Sequence, residues 1–289
     1  MAEEEKFKFQ IVYLVPILAS IFFGLGCAYL LIPQPQSTAI PVTPIPENSP
    51  SAPFGNALYF VVLVAISATV FYLLIKRRSK RIIKGLIIVA MTTASLLLSL
   101  VYLNAILNAI STYFPSLDSL PVLIVLSITI TSLFDLAIFR LGSISRNIAV
   151  VGIGGALGIF FGFSIPLYSA VLILAFLAVY DVFAVYRGPV GKIAQSSGMD
   201  ELQGLSFSFK DIQMGLGDLV FYSMLTGAVF FRFLPSILPC MMSIVGITAG
   251  SIITFFMLEK KGIFPGLPFP IMLGLAGGLI TGLLILPLL

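Results

Sequence analysis

The sequence predicts an all-α polytopic membrane protein with nine transmembrane helices. Three observations carry that expectation. The 289-residue chain is 59% hydrophobic and 10% charged, with a mean hydropathy of +1.12, whereas soluble domains are about 25% charged. Apolar runs close to the roughly 20 residues that a spanning helix needs recur along its whole length. Lys and Arg sort into alternate connections between those runs, as the positive-inside rule requires.

The spans read in order as 11–33, 57–75, 83–106, 121–139, 148–164, 167–186, 212–231, 237–258 and 268–287. The first follows Met1-Ala-Glu-Glu-Glu5, which is wrong for the positive n-region of a signal peptide, so it reads as a retained span. A Pro-rich stretch carrying one charge, Glu47, leads to span two and reads as an extended external connector. Spans two and three flank the basic cluster from Lys76 to Lys84, and span four stops just before Arg140. The fifth is the shortest, parted from the sixth by a tight turn at Ser164-Ile-Pro166. Span eight runs into Lys260-Lys261, and span nine follows a proline-rich break. Alternating nine times from a cytoplasmic N-terminus puts every one of the 16 Lys and Arg except Arg232 inside, and the C-terminus extracytoplasmic. Dropping one span would scatter this pattern.

The whole chain, 1–289, therefore reads as a single membrane domain in the cell membrane. Residues 1–186 hold spans one to six, 187–211 a cytoplasmic loop, and 212–289 the last three spans. Glycines at four-residue spacing, Gly154/Gly158 and Gly274/Gly278/Gly282, predict close helix packing. Cys27 and Cys240 read as small packing residues. The net charge of +4 is topological and does not call for nucleic acid.

Two carboxylates interrupt otherwise apolar helix: Asp181 in span six and Asp218 in span seven. A charge at membrane depth costs at least about 2.5 kcal/mol, so such residues mark function. Asp181 lies six residues before Arg187, and Asp218 eight after Lys210, which places both roughly 9–12 Å in from one edge. Span six runs inward and span seven outward, so the two side chains can face each other. Two carboxylates sharing a low-dielectric site cannot readily both be ionised, and the pair then holds one proton between them. That is acid–base equipment for cutting an amide with water, and it needs no cofactor and no metal.

Absences narrow the chemistry. With no histidine, His-Glu-x-x-His zinc sites and Ser–His dyads are excluded. Every lysine falls in a loop or terminus, away from buried serines. Membrane aspartates also serve ion or proton transport, and the residues alone leave that reading open. Asp135, five residues before Arg140, is a third such acid and reads as snorkelling or pairing with a base at the interface.

Neighbouring residues fit a peptide-cutting site. Gly215-Leu216-Gly217 precedes Asp218 and leaves room for backbone and water, and Tyr180 offers a hydroxyl beside Asp181. Phe264-Pro-Gly-Leu-Pro-Phe-Pro270 has three prolines and a glycine in seven residues and breaks the helix beside the aspartates. Its unpaired backbone groups could hold a substrate as an added strand. Leu205-Ser-Phe-Ser-Phe209 alternates with period two and reads equally as a second strand or as a loop entering span seven.

Tyr180-Asp181, Gly215-Leu216-Gly217-Asp218 and Pro265-Gly266-Leu267-Pro268, in this order within nine spans, resemble the presenilin and signal peptide peptidase family of intramembrane aspartyl proteases. Residues Gly215 to Leu225 look most like the presenilin branch, and an N-terminus inside is the presenilin orientation. The resemblance implies that Asp181 and Asp218 are the catalytic pair and that Pro265-Gly266-Leu267 positions substrate, with Gly266 where the family carries alanine. It implies transmembrane helical proteins as substrates, within a lipid bilayer. The compact chain and its short 187–211 loop look like a microbial, archaeal-type homologue working without accessory subunits. Oligomeric state stays open, a homo-oligomer included. Prepilin peptidases share Gly-x-Gly-Asp but lack the Pro-x-Leu-Pro element and the nine spans. No repeated halves with paired broken helices, as in many transporters, are visible.

Overall fold

The computed structural model describes residues 8–33, 42–46, 49–77, 79–111, 113, 119–187, 206–209 and 212–285. The acidic start, much of the external connector and most of the 187–211 loop lie outside the described residues. Within them the chain forms nine α-helices: α1 Val15–Leu31, α2 Ala52–Lys76, α3 Lys80–Ile110, α4 Leu120–Phe139, α5 Ser143–Ser164, α6 Leu167–Tyr186, α7 Leu216–Arg232, α8 Leu238–Lys261 and α9 Pro268–Ile285. A 3-10 turn, Ile11–Leu14, leads into α1. Two short strands, β1 Ser206–Phe209 and β2 Ile212–Gly215, precede α7. Eight helices are long and apolar enough to cross a membrane, α7 being the exception.

α7 departs from its expected span for a physical reason. Ile212–Gly215, read as the head of span seven, is extended and pairs antiparallel with β1, Ser206 opposite Gly215 and Phe209 opposite Ile212. The period-two stretch before span seven is thus a strand, and the all-α expectation gains a small hairpin. What remains of α7 is 17 residues, about 26 Å long. It need not match lipid, because from Leu219 to Phe230 every residue but Phe221 is buried. Its neighbours α5, α1, α9, α8 and α6 enclose it.

Other ends move outward. The fifth span, expected to be short, is a 22-residue helix, because Ser143–Asn147 continue it. α3 runs for 31 residues, about 46 Å, past the roughly 30 Å hydrocarbon core.

Glycines set the closest helix contacts. A Cβ on Gly155 would strike the Ser20 carbonyl of α1, and one on Gly158 the Val220 carbonyl of α7. Gly162 continues this stripe against Ala228, where a Cβ would come to 2.6 Å of its amide nitrogen. On α9, Gly274 faces Leu225 and Ile247, Gly278 faces Val229, and Gly282 faces the Phe233 ring. Gly246 and Gly250 of α8 meet the α9 backbone at Leu273 and Phe269. Small residues let these backbones approach, as their spacing predicts. Cys27 and Cys240 are free thiols, and Cys240 is fully buried.

Candidate active site

Asp181 lies near the end of α6, and Asp218 in the first turn of α7. Both residues are partly buried. The two carboxylates are close enough to interact electrostatically. They arrive by different routes. Asp181 stands in regular apolar helix. Asp218 is held two residues past the point where β2 turns into α7, with Gly215 in extended conformation at the junction (φ −66°, ψ 143°). Asp218 therefore sits at a helix N-terminus rather than well inside a span.

The segment between α8 and α9 closes the site. Gly262, at φ +75°, ends α8, a left-handed conformation that glycine adopts without strain. The chain then runs without helix to Leu267. Pro268 and Pro270 do not belong to the break. They occupy the first turn of α9, where no intrahelical N–H is needed. Phe264 and Phe269 stack across the segment with centroids 5.8 Å apart, and Lys261 Nζ lies 5.5 Å from the Phe264 ring centre.

Within this segment the backbone touches both acids. The Leu267 amide donates to Asp181 Oδ2 at 3.0 Å, and the Gly266 amide also faces that carboxylate. A Cβ on Gly266 would stand 3.1 Å from Asp218 Oδ2. The Tyr222 hydroxyl donates to the Gly266 carbonyl at 2.9 Å. Pro265 and Leu267 are buried, which anchors the segment.

Most of the residues picked out from sequence converge here. Asp181, Asp218, Gly266 and Leu267 meet directly, with Pro265 and Pro268 flanking them. Tyr180 is near enough to Asp181 to feel its charge, yet among the described residues no hydrogen bond ties its hydroxyl to either carboxylate. Adjacent helix residues point about 100° apart, which explains this. Leu216 packs toward Gly154 of α5 and has a structural part. Gly215 and Gly217 are exposed, with no described backbone pressed on them, so they leave open surface beside Asp218. Tyr222 escaped the sequence reading. Its signal was present, since it lies one helical turn after Asp218, on the same face.

No protein-family model matches the sequence, and no curated protein matches it. Solved structures do match in fold. One, of a presenilin family intramembrane aspartate protease in space group C222, superposes with a TM-score of 0.66 at 20% identity, covering 94% of this chain and 98% of that one. Another, in space group P2, gives a TM-score of 0.64 at 21% identity, covering 96% and 100%. This chain has the presenilin-family fold. The match spans nearly the whole molecule, so the presenilin-like arrangement includes the first five helices, for which the sequence motifs offered nothing.

Proposed function

We propose that the protein is an intramembrane aspartic endopeptidase that cuts peptide bonds within transmembrane segments. The observation that carries this reading is one short backbone stretch, Gly266–Leu267, that bonds Asp181 through the Leu267 amide and leaves beside Asp218 only the space that a glycine needs. The presenilin-like fold supports the same reading.

In the proposed reaction Asp181 and Asp218 share one proton. The ionised carboxylate takes a proton from water as the water oxygen attacks the scissile carbonyl carbon. The protonated partner gives its proton to the carbonyl oxygen. Collapse of the resulting gem-diol breaks the C–N bond: the proton taken from water passes to the amine, and one diol hydroxyl returns its proton to the other carboxylate, which restores the singly protonated pair. The partial exposure of both aspartates admits water. A helical substrate has to be unwound first. Extended backbone at β2, just before the helix that carries Asp218, and non-helical backbone at Gly262–Leu267, which bonds Asp181, suit a strand-like substrate.

The proposed topology has nine spans, with α7 crossing inside a shell of other helices and the N-terminus cytoplasmic. Contacts at both faces support it. The Phe9 amide donates to Glu259 Oε2 at 3.0 Å, which puts the chain start beside the basic end of α8. At the opposite face Asn56, at the start of α2, bonds Ser169 at the start of α6 at 3.3 Å.

The test is cleavage of a single-pass membrane substrate in detergent or liposomes by wild type, Asp181→Asn and Asp218→Asn. Both variants are expected to lose at least about a hundredfold in rate while eluting as folded protein. Wild-type rates in either variant would remove the dyad assignment. Ion flux through the aspartates without proteolysis would favour transport.

A further inference from the structure

α4 turns most of its apolar residues to the outside and two of its polar ones to the protein. Its buried residues are Ser127, Thr131 and Ile138. Asp135 continues the Ser127–Thr131 stripe one turn on, at the four-residue spacing that puts side chains on one face. At Asp135 this stripe meets α3, where Thr92 Oγ1 donates to Asp135 Oδ2 at 2.8 Å. That hydrogen bond, and not a base at the interface, is the partner found for Asp135. It also sets the level of the two antiparallel neighbours. Stepping away by turns puts Ser95 opposite Thr131 and Ser99 opposite Ser127. Ser95 and Ser99 are 2% and 6% exposed.

The stripe is unsatisfied. Ser127 Oγ, Thr131 Oγ1 and Asp135 Oδ1 are buried with no hydrogen-bond partner among the described residues. Ser127 is 0% and Thr131 6% exposed. The same helix supplies its own control. Exposed Thr129 and Ser132 turn back onto the carbonyls of Val125 and Ile128, both at 2.8 Å. Ser127 and Thr131 have the same option one turn back and do not use it. Buried polar groups left alone in hydrocarbon are costly, so Thr131 Oγ1 and Asp135 Oδ1, one turn apart, call for an occupant, whereas Ser127 lies about 12 Å from Asp135 along the helix, out of reach of the same ion.

Its chemistry follows from the hydrogens. Thr92 spends its proton on Asp135, and Ser95 spends its own on the Thr92 carbonyl at 3.1 Å. Both therefore offer lone pairs to the seam, as does Asp135 Oδ1. Against these three acceptors Thr131 brings one unspent proton, and a set so rich in acceptors suits a cation and not an anion. Hard oxygen ligands suit sodium-like ions, whereas calcium and magnesium usually take more carboxylate. We propose that Asp135 and Thr131, with Thr92 and Ser95 opposite, form a site for a sodium-sized monovalent cation between α3 and α4. The partly exposed Asp135, near the Arg140 end of α4, is its entrance.

The test uses the full-length protein in detergent micelles, with radioactive sodium and with thermal unfolding in sodium chloride or N-methyl-D-glucamine chloride at equal ionic strength. Sodium is expected to bind saturably and to raise Tm by roughly 2–4 °C at saturation. Asp135→Asn and Thr131→Val are each expected to weaken binding by about tenfold or more and to abolish the Tm difference. Thr131→Val is close to isosteric and keeps the test open if the aspartate variant fails to fold. A Tm indifferent to the cation, without saturable uptake, would mean that only water fills the seam and would overturn the proposal. Undiminished sodium binding by a folded variant would do so too, as would tighter binding of magnesium than of sodium.

Discussion

Tyr222 and Gly266 are joined by a 2.9 Å hydrogen bond from the tyrosine hydroxyl to the glycine carbonyl. The bond ties the helix that carries Asp218 to the segment whose next amide, that of Leu267, holds Asp181. The carboxylates are thus registered to each other through backbone.

Tyr222→Phe removes only this bond and keeps the ring. Loss of one buried hydrogen bond is expected to lower stability by about 0.5–1.5 kcal/mol. Cleavage should fall by about tenfold through misplacement of Gly266–Leu267. Rate measurements beside thermal unfolding separate the two effects. A rate equal to wild type would show that the segment is positioned without Tyr222.

Gly266 tolerates very little. An alanine Cβ would stand 3.1 Å from Asp218 Oδ2, a contact that the carboxylate relieves by moving a few tenths of an ångström. Gly266→Ala should keep activity within about tenfold, whereas Gly266→Val should lose about a hundredfold or more. A graded cleavage series across glycine, alanine and valine checks this.

Packing glycines are expected to differ sharply along one sequence. Gly158→Ala drives a methyl into the Val220 carbonyl and to 2.8 Å of the Met224 amide nitrogen, at a cost of about 1–3 kcal/mol. Nothing lies within 4 Å of a Cβ at Gly26, so Gly26→Ala should stabilise α1 by roughly 0.5–1 kcal/mol. Paired unfolding midpoints decide it.

Asn56 clasps Ile45 from both sides, accepting from its amide at 3.0 Å and donating to its carbonyl at 3.1 Å. Nearly all of α2's burial is at this end, at Ala52, Asn56 and Ala57. Asn56→Ala should therefore free the start of α2, seen as faster hydrogen exchange over residues 42–60 with α7 unchanged.

The sequence by itself determined where the long apolar helices lie and which two acids stand out in them. Hydropathy and loop charge are summed along the chain, so eight helices appear close to their expected places. Asp181 and Asp218 were legible because a carboxylate in an apolar run needs no partner to be noticed, and the break before α9 because proline and glycine act locally. Tertiary structure alone decided the rest. Ile212–Gly215 is as apolar as a helix start, and only pairing with Ser206–Phe209 makes it a strand. Tyr222 finds its acceptor 44 residues away, and Asp135 finds Thr92 43 residues away. Hydrogen bonds need direction and a partner within about 3 Å. A linear pattern carries neither until the helices are packed.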